Sequence, residues 1–140
     1  MTVAEIIKTL GLTPLEGEGG LWREIYRDEA SNAIYFAMTA PDFSAWHRIE
    51  EPELWIHIAG GPTDLHLIES GELRTIRLDR DSGEFAYRVP PRTWMAASPV
   101  KDWSLQICAL TPAFSGMELA SRVELEREFP NLNLPGLFHE

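Results

Sequence analysis

Between Trp22 and Gln106 the chain alternates short runs of β-branched, aromatic and aliphatic residues with the clusters DEASN, APD, GGP, ESGE, DRDSGE, PPR and SPVKD. Apolar runs of this length, bounded by Gly, Pro, Asn, Asp and Ser, predict strands and turns. The strands are expected at 22–27, 33–39, 45–50, 53–58, 64–69, 73–78, 85–89, 94–97 and 103–110. Their even spacing suits a sandwich or barrel and not alternating β and α units, so the fold class is all-β.

Helical periodicity is confined to the two ends. Residues 2–10 predict a short helix, with Thr2 and Glu5 at capping-box spacing, Val3, Ile6, Ile7 and Leu10 on one face, and Gly11 to end it. After Pro112 a second helix is expected to turn Leu119, Val123 and Ala120 inward and Glu124, Glu126 and Arg127 outward, stopping at Pro130. The tail NLNLPGLFHE has no period, and no repeat or linker interrupts the chain. Its 140 residues are therefore expected to form one domain, 1–140.

Charge narrows the partners. With 12 Lys and Arg against 22 Asp and Glu, the formal net charge is −10, and no run concentrates the basic residues. Phosphate recognition depends on clustered cations, so neither nucleic acid nor an anionic membrane is an expected partner. No apolar run approaches the roughly 18 residues a span requires, and the N-terminus lacks the pattern of a signal peptide, which predicts a cytoplasmic protein. The single cysteine, Cys108, lies in the apolar run LQICAL and is expected to be a buried, inert thiol.

The chemistry concentrates in WHRIEEPELWIHIAGG, residues 46–61, where His47, Glu53 and Gly60 keep a spacing seen in metal sites. Strand alternation places Ala45, His47 and Ile49 on one face and Glu53, Trp55 and His57 on one face. These are expected to look into a common interior, with His66 as a neighbour from the face that carries Asp64, His66 and Ile68. In WREIYR, alternation groups Trp22, Glu24 and Tyr26 against Arg23, Ile25 and Arg27.

The segments GGLWREIYR (19–27), IYF (34–36), FSAWHR (43–48), ELWIHIAG (53–60), LHLI (65–68), VPPRTW (89–94) and ELASRVELEREFP (118–130) together resemble the cupin_5 group of the cupin superfamily, also labelled DUF985. The resemblance runs in the family's order over nearly the whole chain. It implies a double-stranded β-helix, the cupin jelly-roll barrel, with short N-terminal and C-terminal helices, and a homodimer. The general cupin motif supplies three histidines and one glutamate to a metal; here His47 and Glu53 match two of those positions, while Ile49 and Met95 occupy the others. Isoleucine and methionine are poor ligands for harder divalent ions, so no metal ligand set is expected. Arg92 stands where the pattern has glycine, and Glu16 to Trp22 stand where relatives read HPEGGYF.

A small polar or sugar-like ligand in the lumen is the resulting expectation, with His47 and Glu53 as the catalytic pair. The ligand-binding set is Arg23, Tyr26, Tyr35, Trp55, His57, His66, Trp94, Met95 and Gln106. Arg23 could hold an anionic group by a forked contact, and Trp55 and Trp94 could stack on a ring. Metal-free sugar epimerases of the superfamily imply His47 as a base for epimerase- or isomerase-type chemistry. Each residue also has a plainer role: His47 and Glu53 as a rigidifying pair, His57 and the tryptophans as packing, and the WREIYR charges as a solvated surface. Two alternatives stay open, a metal-dependent oxygenase or isomerase using His47, Glu53 and His57, and a non-enzymatic dimeric sensor or structural module. No cofactor is specified.

Overall fold

The computed structural model describes residues 1–140. Eleven strands lie between two short helices, α1 (Val3–Leu10) and α2 (Arg122–Glu128). The strands are β1 (Thr13–Pro14), β2 (Leu21–Arg27), β3 (Asn32–Thr39), β4 (Ser44–Ile49), β5 (Glu53–Gly60), β6 (Thr63–Glu69), β7 (Glu72–Leu78), β8 (Ala86–Val89), β9 (Trp94–Pro99), β10 (Trp103–Leu110) and β11 (Met117–Leu119). They form a six-stranded sheet in the order β1-β2-β3-β10-β5-β8 and a five-stranded sheet in the order β11-β4-β9-β6-β7. Every pairing is antiparallel.

The two inner faces meet over one apolar core. Phe36 and Met38, Trp55, Leu65 and Leu67, Met95 and Ala97, and Cys108 and Leu110 come from strands of both sheets and are almost wholly buried. Residues two apart recur in this set because side chains alternate across a pleated strand. Burial pushes the Cys108 thiol well above its ordinary value, as an inert core thiol requires.

Each outer face has its own cover. On the six-stranded sheet, Ile6 of α1 and Leu12 pack on Ala37 and Leu105. Thr2 caps α1 by accepting from the Glu5 N–H, and Gly11 ends it in the left-handed conformation at φ 65°. On the five-stranded sheet, Trp46, Ile68, Trp94 and Ala96 are covered by Leu125 of α2 and Phe138 of the tail. The tail is tied down where the Trp46 Nε1–H donates to the Pro135 carbonyl at 2.9 Å and the Trp46 backbone N–H to Leu137.

Two expectations of the sequence need correction. The C-terminal helix begins only at Arg122, after a strand that holds Leu119, so its apolar contact is Leu125; Leu119 and Val123 are 44% and 61% exposed. Strands β1 and β11, two and three residues long, were not expected, because segments that short show no period of their own. Arg92 takes φ 54°, so the arginine adopts the left-handed backbone that glycine would favour.

Candidate functional site

One end of the space between the sheets is not filled. A cavity of about 350 Å³ opens there, walled by Trp22, Glu24 and Arg27 of β2, Asn32 and Ile34 of β3, His47 and Ile49 of β4, and Glu53 of β5. Leu15, Glu18, Leu110, Phe114 and Met117 complete it. A concave, mainly apolar space with a few convergent polar groups is the usual form of a small-molecule site.

His47 and Glu53 enter from the five-stranded and six-stranded sheets respectively. His47 is buried, and its Nδ1 lies 2.7 Å from the Ala45 carbonyl, an atom that can only accept. Nδ1 therefore carries the proton in the neutral ring, which leaves Nε2 as a bare lone pair. That nitrogen is 3.7 Å from Glu18 Oε1. Glu53 is also buried, and its Oε1 accepts from the Trp55 indole N–H at 2.9 Å. Its pKa is raised to about 7, chiefly by burial and further by the Glu18 charge, against the lowering effects of His47 and the Trp55 hydrogen bond.

Glu18 was not singled out from the sequence. It comes from the turn between β1 and β2, and its carboxylate and backbone are both fixed on β4: Ser44 Oγ donates to Oε2 at 2.7 Å and the Ala45 N–H to its carbonyl at 2.8 Å. The turn can press so closely because Gly19 and Gly20 follow; a Cβ on Gly19 would strike the Phe43 carbonyl and His139, and one on Gly20 the Phe36 ring. The available signal was the Glu-Gly-Gly that this chain shares with the HPEGGYF of its relatives.

A bulge decides which side of β2 faces the cavity. Glu24 pairs with Ile34 and Arg27 with Asn32, with the register shifting between Glu24 and Tyr26. The extra residue brings Arg27, in place of Tyr26, onto the face of Trp22 and Glu24. Tyr26 is exposed and bonds Ser31 at 2.6 Å. Arg23 lies on the opposite face, its guanidinium 5.8 Å from the ring of Tyr35. Arg27 donates from Nη2 to the Phe114 carbonyl at 2.7 Å, which ties two residues of the cavity wall together.

Of the other candidates, Trp55 is a core residue that reaches the site through Glu53. His57 and Gln106 face the lumen, but four residues further along their strands; His57 Nδ1 lies 3.2 Å from Gln106 Oε1, which also accepts from Thr63 Oγ1. Met95 fills the core behind the cavity. His66 and Trp94 point outward from the five-stranded sheet, His66 to Thr75 at 2.9 Å and Trp94 beneath Arg48 at 4.3 Å. Burial lowers the pKa of His66, only partly offset by Asp64.

This donor set does not fit the general cupin metal site. Ile49 and Met95 occupy two would-be ligand positions, and His57 lies four residues beyond Glu53 on β5, outside the cavity lining. No three His, Cys, Asp or Glu side chains group closely enough to hold an ion.

Comparison with known proteins places the architecture. The Cupin_5 model of the cupin superfamily (DUF985) matches residues 4–120, and the chain belongs to that family. Among solved structures it is similar to protein SO0799 from Shewanella oneidensis, at 29% identity over 93% of this chain and 91% of that one, with a TM-score of 0.85. A hypothetical protein from Leishmania major is similar at 25% identity over 93% of both chains, again with a TM-score of 0.85. An oxalate decarboxylase from Bacillus subtilis, at 12% identity over 89% of this chain and 36% of that one, shares the fold at a TM-score of 0.64. No curated protein matches. No helix is long and apolar enough to cross a membrane.

Proposed function

We infer that this cupin binds a small polar organic molecule in the lumen cavity, with His47 and Glu53 as its proton-handling pair. One observation carries the reading: a tautomer-fixed imidazole and a carboxyl group of raised pKa share the wall of a cavity large enough for a metabolite. His47 Nε2 is a bare lone pair able to accept a proton. Glu53, with a pKa of about 7, can hold and return one near neutral pH. A pair so matched suits removal and return of a proton at a carbon acidified by a neighbouring carbonyl, the chemistry of an isomerase or epimerase. Such a reaction changes no oxidation state.

The experiment is a ligand panel of sugars, amines, hydroxy acids and keto acids, screened by native mass spectrometry and repeated with His47→Ala. A panel member that binds the native chain and is lost with His47→Ala supports the reading. Ligands that bind equally well to the variant would remove His47, and with it the cavity, from the account. Self-association into a homodimer and a cytoplasmic location belong to the same proposal; the dimer is supported by the family to which the chain belongs.

A further inference from the structure

We propose that the ligand of the lumen cavity carries a protonated amine, seated on the inner wall where Glu18, His47 and Glu53 meet. This rests on the lumen-binding reading above and specifies the chemical class of the group bound there.

The donors and acceptors of this wall identify the group. In each of the three side chains one polar atom is already engaged: Glu18 Oε2 by the Ser44 hydroxyl, His47 Nδ1 by the Ala45 carbonyl, and Glu53 Oε1 by the Trp55 indole. The remaining atoms, Glu18 Oε1, His47 Nε2 and Glu53 Oε2, have no hydrogen-bond partner within the protein. In the neutral tautomer of His47 that the Ala45 carbonyl fixes, and with both carboxylates ionised, all three are acceptors. An alkylammonium offers N–H donors and a positive charge, and no lone pair. Its three N–H donors match the three acceptors in number and kind. A hydroxyl brings a single donor and leaves its own lone pairs unanswered, while a carboxylate or phosphate meets only lone pairs and like charge.

Charge and shape agree with that assignment. Two buried carboxylates, Glu18 and Glu53, line the cavity, while Glu24 and Arg27, of opposite charge, are both exposed and Arg27 is bonded to Phe114. The protein as a whole carries a formal charge of −10. Trp22, Ile34, Ile49 and Phe114 supply apolar and aromatic wall, so an amine with an apolar body fits better than a bare ion. Burial, and after it the Glu18 charge, raise the proton affinity of Glu53 against the opposing effect of His47, and an ammonium would add countercharge beside it. Amine binding should therefore strengthen as pH rises through 7, because Glu53 ionises there while an alkylamine stays protonated.

Three probes of one shape test it: phenethylamine, 2-phenylethanol and phenylacetate, titrated calorimetrically at pH 8 and pH 6. Phenethylamine is expected to bind at least tenfold more tightly than 2-phenylethanol at pH 8, more weakly at pH 6, and phenylacetate not measurably. Glu18→Gln and Glu53→Gln, either of which suffices should the other fail to fold, are expected to remove the preference for the amine while the alcohol still binds. Equal or better binding of the alcohol or the acid overturns the amine but leaves the lumen site standing, provided His47→Ala abolishes it. A neutral sugar that binds through His47 while no amine does has the same meaning. Stoichiometric Zn²⁺ or Mn²⁺ binding lost with His47→Ala would replace the amine by a metal ion. If no compound of any class binds, the lumen reading fails as well.

Discussion

The Trp55 indole N–H donates to Glu53 Oε1 at 2.9 Å, from two positions along the same strand and on the same buried face. It is the one protein hydrogen bond to a carboxyl group otherwise taken out of water. That single bond does not offset the burial, and the Glu53 pKa remains raised, from 4.5 to about 7.

Stability follows with a definite sign. The folded chain holds a Glu53 proton that the unfolded chain has lost, so stability is fully present below about pH 4.5 and falls as pH rises to about 7. The shift corresponds to roughly 3 kcal/mol at most. Glu53→Gln, which still accepts from Trp55, is expected to stabilise the protein at pH 8 by about 1–3 kcal/mol and to have little effect at pH 4.5. Urea denaturation at both pH values checks it; equal effects would show that Glu53 ionises normally.

The Ala45 carbonyl fixes the His47 ring. Side-chain ¹⁵N spectra of the neutral protein are expected to show the proton on Nδ1 and a bare Nε2. The opposite tautomer would deprive the cavity of its base.

Arg92 holds a left-handed backbone at φ 54°, and its ion pair with Glu50 is long, at 3.5 Å, and exposed. Surface pairs of that kind contribute little, so Arg92→Gly is expected to stabilise the fold by about 0.5–1 kcal/mol. Thermal melting reads this directly.

On the outer face, Leu125→Ala is expected to cost about 2–5 kcal/mol and Val123→Ala less than about 0.5 kcal/mol, because only Leu125 is packed under α2. Reversed values would restore the helix phase that the sequence suggested.

Gln106→Leu leaves His57 Nδ1 and Thr63 Oγ1 without a partner in the core, an expected cost of about 2–4 kcal/mol. Ligand affinity is expected to be unchanged, since neither His57 nor Gln106 lines the cavity.

The strands were legible because turn clusters bracket runs that must bury alternate residues, and the motifs from FSAWHR to VPPRTW placed the family. The site was only partly legible, for geometric reasons. Alternation gives the face of a side chain but not its height: His57 faces the lumen as expected, yet sits about 13 Å along the strand from Glu53. Nor does it say which face is inner, and the lumen side of β6 and β9 belongs to Leu65, Leu67 and Met95, leaving His66 and Trp94 outside. A bulge at Ile25 exchanged Tyr26 for Arg27, and a bulge leaves no mark in the hydrophobic pattern. Glu18 lies on a glycine turn, where no period operates at all.

The four histidines are built-in reporters of lumen binding, since only His47 borders the cavity, with His57 in the core, His66 on the outer wall and His139, in the tail, stacked on Phe43. Titrating the ligand panel while following all four imidazole resonances is the most direct measurement. Any bound ligand is expected to move the His47 resonances and leave those of His66 and His139 in place. A ligand that moves His66 or His139 while His47 stays still would contradict lumen binding.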